Sequence, residues 1–280
     1  MARIRVVTDS ACDLSADLAA EWDVSVVPLS IRFGAEEFVD QSTLSTDEFW
    51  SRCAASPVLP ETSAPSAGAF QQAFEAADDD GYDGVICINL SAEVSATHQA
   101  AVAAAKAVSD RIPVRAIDSR ALTMAQGLMV LDVADRARRG ATLDELAVRA
   151  DELIPRTKVF GVLDTLEHLE KGGRIGGARA LLGSLLSIKP VVTLVDGRVE
   201  EESKQRTRGR SLRYLAAKAL DSPPISRLAV CNGAAGDIDE FVAMLDGVKT
   251  EHPMVMVDLG PVVGTHTGPG TIGTCIVTVD

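Results

Sequence analysis

The sequence predicts an α/β protein of two domains, the first built on a parallel sheet covered on both faces. Three observations lead there. The chain has 280 residues, more than one ordinary hydrophobic core spans. Before Pro155, short apolar runs alternate with helical stretches through polar turns, the pattern of a parallel sheet. After Pro155 the rhythm changes, and Asp196-Gly197 between two strand-like runs signals a hairpin. The boundary is therefore set near Pro155, giving segments 1–155 and 156–280.

In order, residues 4–7 are an apolar run that ends at Thr8-Asp9-Ser10, 15–22 a helix, and 24–29 a strand interrupted by Pro28. Ser45 and Thr46 cap a helix to residue 52, with Asp47 and Glu48 in its first turn. Residues 66–79 read as a helix, 84–90 as a buried strand, 95–110 as an Ala-rich helix, and 114–117 as a strand ending at Asp118-Ser119. A long helix at 121–139 stops at Gly140, and Thr142 opens another that ends near Pro155. Beyond it come a strand at 158–163, a short helix at 166–171, a Gly-rich turn and a helix at 178–186. The hairpin arms are 190–194 and 198–202. A basic-faced helix at 207–220, a strand at 227–232, a helix at 238–245 and strands at 254–259 and 273–278 complete the chain.

Composition bounds the function. Hydrophobic residues make up 46% and charged residues 24%, as in folded soluble proteins. Aromatics are only 4%, so the interior is aliphatic, with material enough to line a cavity. A net charge of −13 argues against nucleic acid as the main partner. The cysteines, Cys12, Cys53, Cys87, Cys231 and Cys275, are odd in number and form no C-x-x-C pair, against a disulfide framework or a zinc site. Reduced thiols, the lack of an apolar signal segment and the lack of a bilayer-length run predict a cytoplasmic protein without stable membrane insertion.

In parallel sheets ligands sit at the carboxyl ends of the strands, where the polar clusters fall. Thr8-Asp9-Ser10 with Asp13 reads either as helix capping or as a pocket-edge or conformational device. In the loop Thr62-Ser63-Ala64-Pro65-Ser66, Ser66 is a natural N-cap. Thr62 and Ser63 exceed that need and can donate to a carboxylate without adding charge. Ser95 follows the strongest strand and opens a helix, an anion-friendly place or a plain N-cap. The stretch Lys171-Gly172-Gly173-Arg174-Ile175-Gly176-Gly177 has neither Walker nor Rossmann spacing. Its cations, with Arg179, Lys189, Arg206, Arg208 and Arg210, form a solvated basic face or a docking surface for an anionic partner. His266 lies among small residues in Gly264-Thr265-His266-Thr267-Gly268-Pro269-Gly270, read as a tight loop. A buried His needs a polar partner, which a ligand carboxylate would supply; a purely structural His is the alternative. A Ser95/His266 hydrolase dyad lacks the G-x-S-x-G elbow.

Taken together and in this order, these motifs resemble the DegV family over nearly the whole chain. The set comprises Thr8-Asp9-Ser10 with Asp13-Leu14, Pro28-Leu29, Thr62 to Ser66, Leu90-Ser91 to Ser95, Asp118-Ser119, Leu169 to Gly176, Lys189-Pro190, Arg206-Thr207 and Gly264 to Gly270. The resemblance implies a DegV-like fold of two domains: an N-terminal three-layer domain on a parallel sheet and a C-terminal two-layer domain on a mixed sheet. A long-chain fatty acid would be buried between them. It further implies a lipid-binding subunit, with no catalytic residues, metal or cofactor of its own. That subunit presents the carboxylate to a separate ATP-using fatty acid kinase subunit, which makes an acyl phosphate for phospholipid synthesis. By position Thr62, Ser95 and His266 would hold the carboxylate, with Ser63 beside Thr62, and Arg174 and Arg206 would dock the kinase subunit. A neutral hydroxyl–imidazole cradle of this kind would hold the carboxylate without a fixed cation. A stand-alone lipid esterase and a carrier or sensor without a kinase partner are the alternatives. The chain departs from the family pattern at Ala92, Ala96 and His98, which touches the expected shape of the pocket.

Overall fold

The structure, a computed structural model, describes residues 2–56 and 58–279, with the backbone alone for 182–187. In chain order the first half forms β1 (Ile4–Asp9), α1 (Ala16–Glu21), β2 (Val24–Val27), β3 (Ser30–Phe33), β4 (Glu36–Val39), α2 (Thr46–Ala55), β5 (Glu61–Ser63), α3 (Ala67–Asp79), β6 (Gly84–Asn89), α4 (Thr97–Ala107), β7 (Val114–Asp118), α5 (Thr123–Arg138) and α6 (Leu143–Leu153). The second half forms β8 (Thr157–Val162), α7 (Glu167–Lys171), β9 (Lys189–Val195), β10 (Arg198–Gln205), α8 (Arg208–Leu220), β11 (Ile225–Gly233), α9 (Ile238–Met244), β12 (Val255–Asp258), α10 (Pro261–Thr267) and β13 (Thr271–Thr278).

The apolar runs of the first half pair as a parallel sheet in the order β2-β1-β6-β7. Every residue of β6 is buried, as coverage on both faces requires. Phe70 and Phe74 of α3 and the alanines of α4 close one face. On the other lie α5 and α6. The second half forms a mixed six-stranded sheet, β10-β9-β8-β13-β11-β12, with α8 and α9 on its outer face. Its inner face rests on α5, which is buried almost continuously from Thr123 to Ala134. A helix without a polar face must be wrapped on all sides. Its buried amide, Gln126, donates to Thr8 Oγ1 at 2.9 Å. Ala229, Cys231, Cys275 and Val277 therefore share a hydrophobic cluster with β1, β6 and α5, and the two sheets have one core between them.

Capping chemistry sets several helix starts as the sequence predicts: Ser45 accepts from Glu48 N, Ser66 from Ala69 N, and Thr142 forms a capping box with Glu145. Asp196 and Gly197 take positive φ (50° and 82°) and close the β9–β10 hairpin as expected. The hairpin tip reaches the loop after β6, where Ser91 Oγ donates to Gly197 O at 2.8 Å and Arg198 pairs with Glu93 at 2.6 Å.

Three local expectations are corrected. A three-stranded antiparallel sheet, β4-β3-β5, was not legible, because its strands are only three or four residues long. The helix expected at 178–186 is instead a run of 3-10 turns over Gly176–Ser187. Gly176 there sits at φ 50° against Val199 O, with no room for a Cβ. The tight loop expected around His266 is the last turn of α10, which begins at Pro261 in the first helical position.

Thr8-Asp9-Ser10 with Asp13 joins these parts. Asp9, at the point between β1 and β6 where strand order reverses, accepts from Leu90 N (2.9 Å), Asn89 Nδ2 (3.1 Å) and Ala11 N (3.2 Å). Asp13 accepts from Gly260 N (3.1 Å) and Thr123 Oγ1, tying the start of α5 to the entry of α10. Burial raises both carboxyl pKa values, that of Asp9 to about 6. Nearby Asp40 is buried, neither oxygen has a partner of good hydrogen-bond geometry among the described residues, and desolvation, outweighing the opposing pull of Ser10 and Gln41, raises it to about 7.

Gly264 lets α10 lie directly on α2: a Cβ there would stand 2.8 Å from Phe49 and 2.9 Å from Trp50. Gly264→Ala is therefore expected to destabilise the fold by about 1–3 kcal/mol, read as a lower urea midpoint. A midpoint equal to wild type would mean that α10 has room to spare. For Asp40, the folded state holds the proton that the unfolded chain loses between the ordinary value of 3.8 and about 7. Its contribution to stability is thus lost as pH rises through that window. Asp40→Asn removes the slope. Its stability relative to wild type should improve from pH 4 to pH 7 by on the order of a few kcal/mol, measured by urea melts across pH. A constant difference would sink the argument.

Candidate functional site

The parallel sheet presents Leu29, Leu90 and Leu122 just beyond the carboxyl ends of β2, β6 and β7. Val159, Val192 and Leu194 face them from the mixed sheet, and Val262 and Val263 of α10 cover the gap. The result is a cavity with mainly apolar walls, enclosing about 910 Å³ when its open mouth is counted. Thr62, Ser95, Arg174 and His266 line it.

Each of these polar groups has a local cause. Pairing of Ile31 in β3 with Thr62 in β5 fixes the strand, and alternation turns Thr62 inward. The same alternation turns Ser63 outward: it is exposed and does not line the cavity, so the structure does not place it with the other three. Thr62 was expected on a loop but stands on a strand. Ser95 lies just ahead of α4; its Oγ accepts from Thr97 N at 3.3 Å and shares a 2.8 Å hydrogen bond with Thr97 Oγ1. His266 Nε2 lies 2.8 Å from Thr62 Oγ1.

The imidazole is held in a slot. A Cβ on Gly172 would collide with His266 Nδ1 and stand 2.8 Å from His168 O. Nδ1 is buried without a partner among the described residues. An unpartnered lone pair costs less than an unpartnered N–H, which assigns the proton to Nε2. Nε2–H then donates to Thr62 Oγ1, leaving the Thr62 hydroxyl hydrogen for a ligand. Burial, reinforced by the charges of Arg174 and His168, lowers the His266 pKa to about 4, so the ring is neutral near pH 7.

Arg174 corrects one expectation. The carboxylate cradle was expected to lack a fixed cation, yet Arg174 is half-buried in the same cavity wall. Its Nε donates to Val94 O (3.1 Å), next to Ser95, and its Nη1 to Gly172 O (2.7 Å), next to the imidazole. It thereby links the two walls that carry Ser95 and His266. Arg206 is exposed, lies outside the cavity wall and makes no ion pair among the described residues. Ser95 and His266 do not bond each other; each is engaged by a different threonine, so the hydrolase dyad has no preformed nucleophile–base pair. Ala92, Ala96 and His98 do not line the cavity.

Sequence reasoning missed Gly172 and His168. The signal was present in the Gly-rich stretch, whose glycines were weighed as a phosphate loop and whose cations as a basic face. Its glycines make room instead: Gly172 for His266, Gly176 and Gly177 for β10. His168 Nδ1 donates to Thr265 O at 3.1 Å and packs on Gly268, steadying the turn that carries His266. Among the described residues no cluster of His, Cys, Asp and Glu could hold a metal ion, and no helix is long and apolar enough to cross a membrane.

Fold and site together define an α/β protein with an apolar cavity whose wall brings together Thr62, Ser95, Arg174 and His266. A family model described as "Uncharacterised protein, DegV family" matches residues 3–279. A DegV domain-containing protein of Streptomyces coelicolor is 34% identical over 281 residues, 98% of each chain. Among solved structures, a DegV family protein from Thermus thermophilus, described by its fatty acid binding, superposes with a TM-score of 0.88 at 31% identity, covering 99% of this chain and 100% of that one. A stearic acid-binding protein from Eubacterium ventriosum superposes with a TM-score of 0.84 at 27% identity, covering 99% and 98%. The chain belongs to the DegV family.

Gly172→Ala should expel the imidazole from its slot. By NMR the His266 titration midpoint is expected to rise from about 4 toward the ordinary 6.5. An unchanged midpoint would show that Gly172 does not set the ring's environment.

Proposed function

We propose that the protein binds a long-chain fatty acid in this cavity and presents its carboxylate to a separate ATP-using kinase subunit, which converts it to an acyl phosphate. One observation carries the reading: an aliphatic cavity ends at a neutral His266 hydrogen-bonded to Thr62, with Ser95 and Arg174 in the same wall. An acyl chain gains roughly 0.8 kcal/mol per buried methylene, so about fifteen of them supply on the order of 10 kcal/mol before binding costs. A few polar contacts then suffice to place the head group. Thr62, Ser95 and the neutral imidazole leave a carboxylate oxygen nucleophilic toward a γ-phosphate, and Arg174 supplies charge that the hydroxyls lack. Fatty acid binding by the Thermus and Eubacterium proteins supports the cargo.

The kinase subunit would approach over Arg174 and Arg206. Arg206, exposed just ahead of α8 and without an ion pair among the described residues, suits an anionic partner, as do the exposed Arg179 and Arg210. In this reading the parallel-sheet segment 1–155 and the mixed-sheet segment 156–280 act as two domains clamping the acyl chain, in the cytoplasm, and the chain has no turnover of its own.

Native mass spectrometry of the purified protein, followed by lipid extraction, is expected to find one fatty acid per chain. With an ATP-using kinase subunit supplied, Ser95→Ala and His266→Ala should each lower acyl phosphate yield by about tenfold or more while the fatty acid stays bound. An empty protein that takes up no added fatty acid, or variants with wild-type yield, would overturn the assignment.

A further inference from the structure

A second cleft opens at the other end of α5. The apolar cavity touches that helix at Leu122 and Thr123; the second cleft is lined by Asp132, Asp135, Arg136, Arg139 and Gly140 at its C-terminal end. Its remaining walls come from α6, from Arg156, from the start of β11, from the 251–252 turn and from Val279. It measures about 1870 Å³ including its open mouth, and its lining is mostly charged.

At its base is Arg227. Alternation along β11 sends Ala229 and Cys231 into the core shared with α5, and Arg227, two residues earlier, projects from the same face. Only 6% of the residue is exposed. Among the described residues its guanidinium makes no ion pair or hydrogen bond, and Nε is buried without a partner. Desolvation pulls its pKa down, against the pull of Asp132 and Asp135.

The neighbouring carboxylates are already engaged. Asp132 receives the Arg149 fork at 2.8 and 3.0 Å and Arg136 at 3.3 Å. Asp135 pairs with Arg139 at 2.7 Å. Asp144 pairs with Arg115, and Glu145 is held by the Thr142 cap. Arg227 is therefore a largely buried guanidinium whose Nε has no acceptor among the described residues, at the base of a polar cleft. An unsatisfied buried cation is costly, and the guanidinium plane matches two oxygens of one anion.

We propose that this cleft is a second ligand site, in which Arg227 binds one oxyanion group, phosphate or carboxylate, of a small solute. Arg139, Arg149 and Arg156 stand in the same walls. The acidic Glu152 and Glu251 also line it, so the site suits a single oxyanion group rather than a polyanion. The site is separate from the apolar cavity, and no residue lines both.

The test titrates the full chain with inorganic phosphate and, separately, with acetate, following the Arg227 Nε–Hε resonance by NMR and heat by calorimetry. A saturable shift of that resonance with at least one of the two is expected. Arg227→Met should weaken that binding by about tenfold or more while fatty acid uptake stays at the wild-type level. If Arg227→Met does not fold, Arg227→Lys, which keeps the charge but loses the fork, should weaken it in the same direction. A resonance unmoved by both anions at about 20 mM, far above ordinary ligand affinities, overturns the proposal. So does a folded variant that binds as tightly as wild type.

Discussion

Helix α5 has almost no face left for water, and the architecture follows from that. A helix buried from Thr123 to Ala134 has to be enclosed by two sheets, so neither sheet completes its core without the other. The parallel sheet contributes β1 and β6, the mixed sheet β11 and β13, and the central helix is common to both. The apolar cavity lies where α5 begins, and the charged cleft lies where it ends. Asp13 fixes the first of these ends by accepting from Thr123 and Gly260, which brings α10 over the cavity.

The polar end of the cavity shows how burial tunes a small set of groups. His266 is kept neutral by desolvation and nearby positive charge, and its tautomer follows from the partnerless Nδ1. Arg174 crosses from Val94 to Gly172 and so binds the loop of Ser95 to the slot of His266. Displacing either wall would disturb both. The hairpin tip adds a third tie through Ser91 and Glu93, so the loop that carries Ser95 is held from two sides. Such preorganisation is what the proposed presentation of a carboxylate requires.

The glycine-rich stretch shows how one composition serves different physics. Glycines near cations suggest phosphate binding when read along the chain. In three dimensions Gly172 makes space for an imidazole, and Gly176 and Gly177 make space for β10. What the glycines approach is decided by residues almost a hundred positions away in one case and some twenty-three in the other. Local sequence holds no trace of either.

Local chemistry was enough to determine the alternation of strands and helices, the caps at Ser45, Ser66 and Thr142, the Asp196-Gly197 hairpin and the aliphatic interior. These depend on neighbours within a few residues, where periodicity and turn preferences act. The motifs in order also identified the family and brought Thr62, Ser95 and His266 forward together. Only the tertiary structure decided that Thr62 stands on a strand and faces in while Ser63 faces out, because β5 is three residues long and takes its register from β3. Only it put Arg174 in the cavity wall and left Arg227 Nε buried without a partner among the described residues. Both outcomes depend on where distant segments meet, and a side chain's partner and burial are set by that meeting rather than by the residues on either side of it.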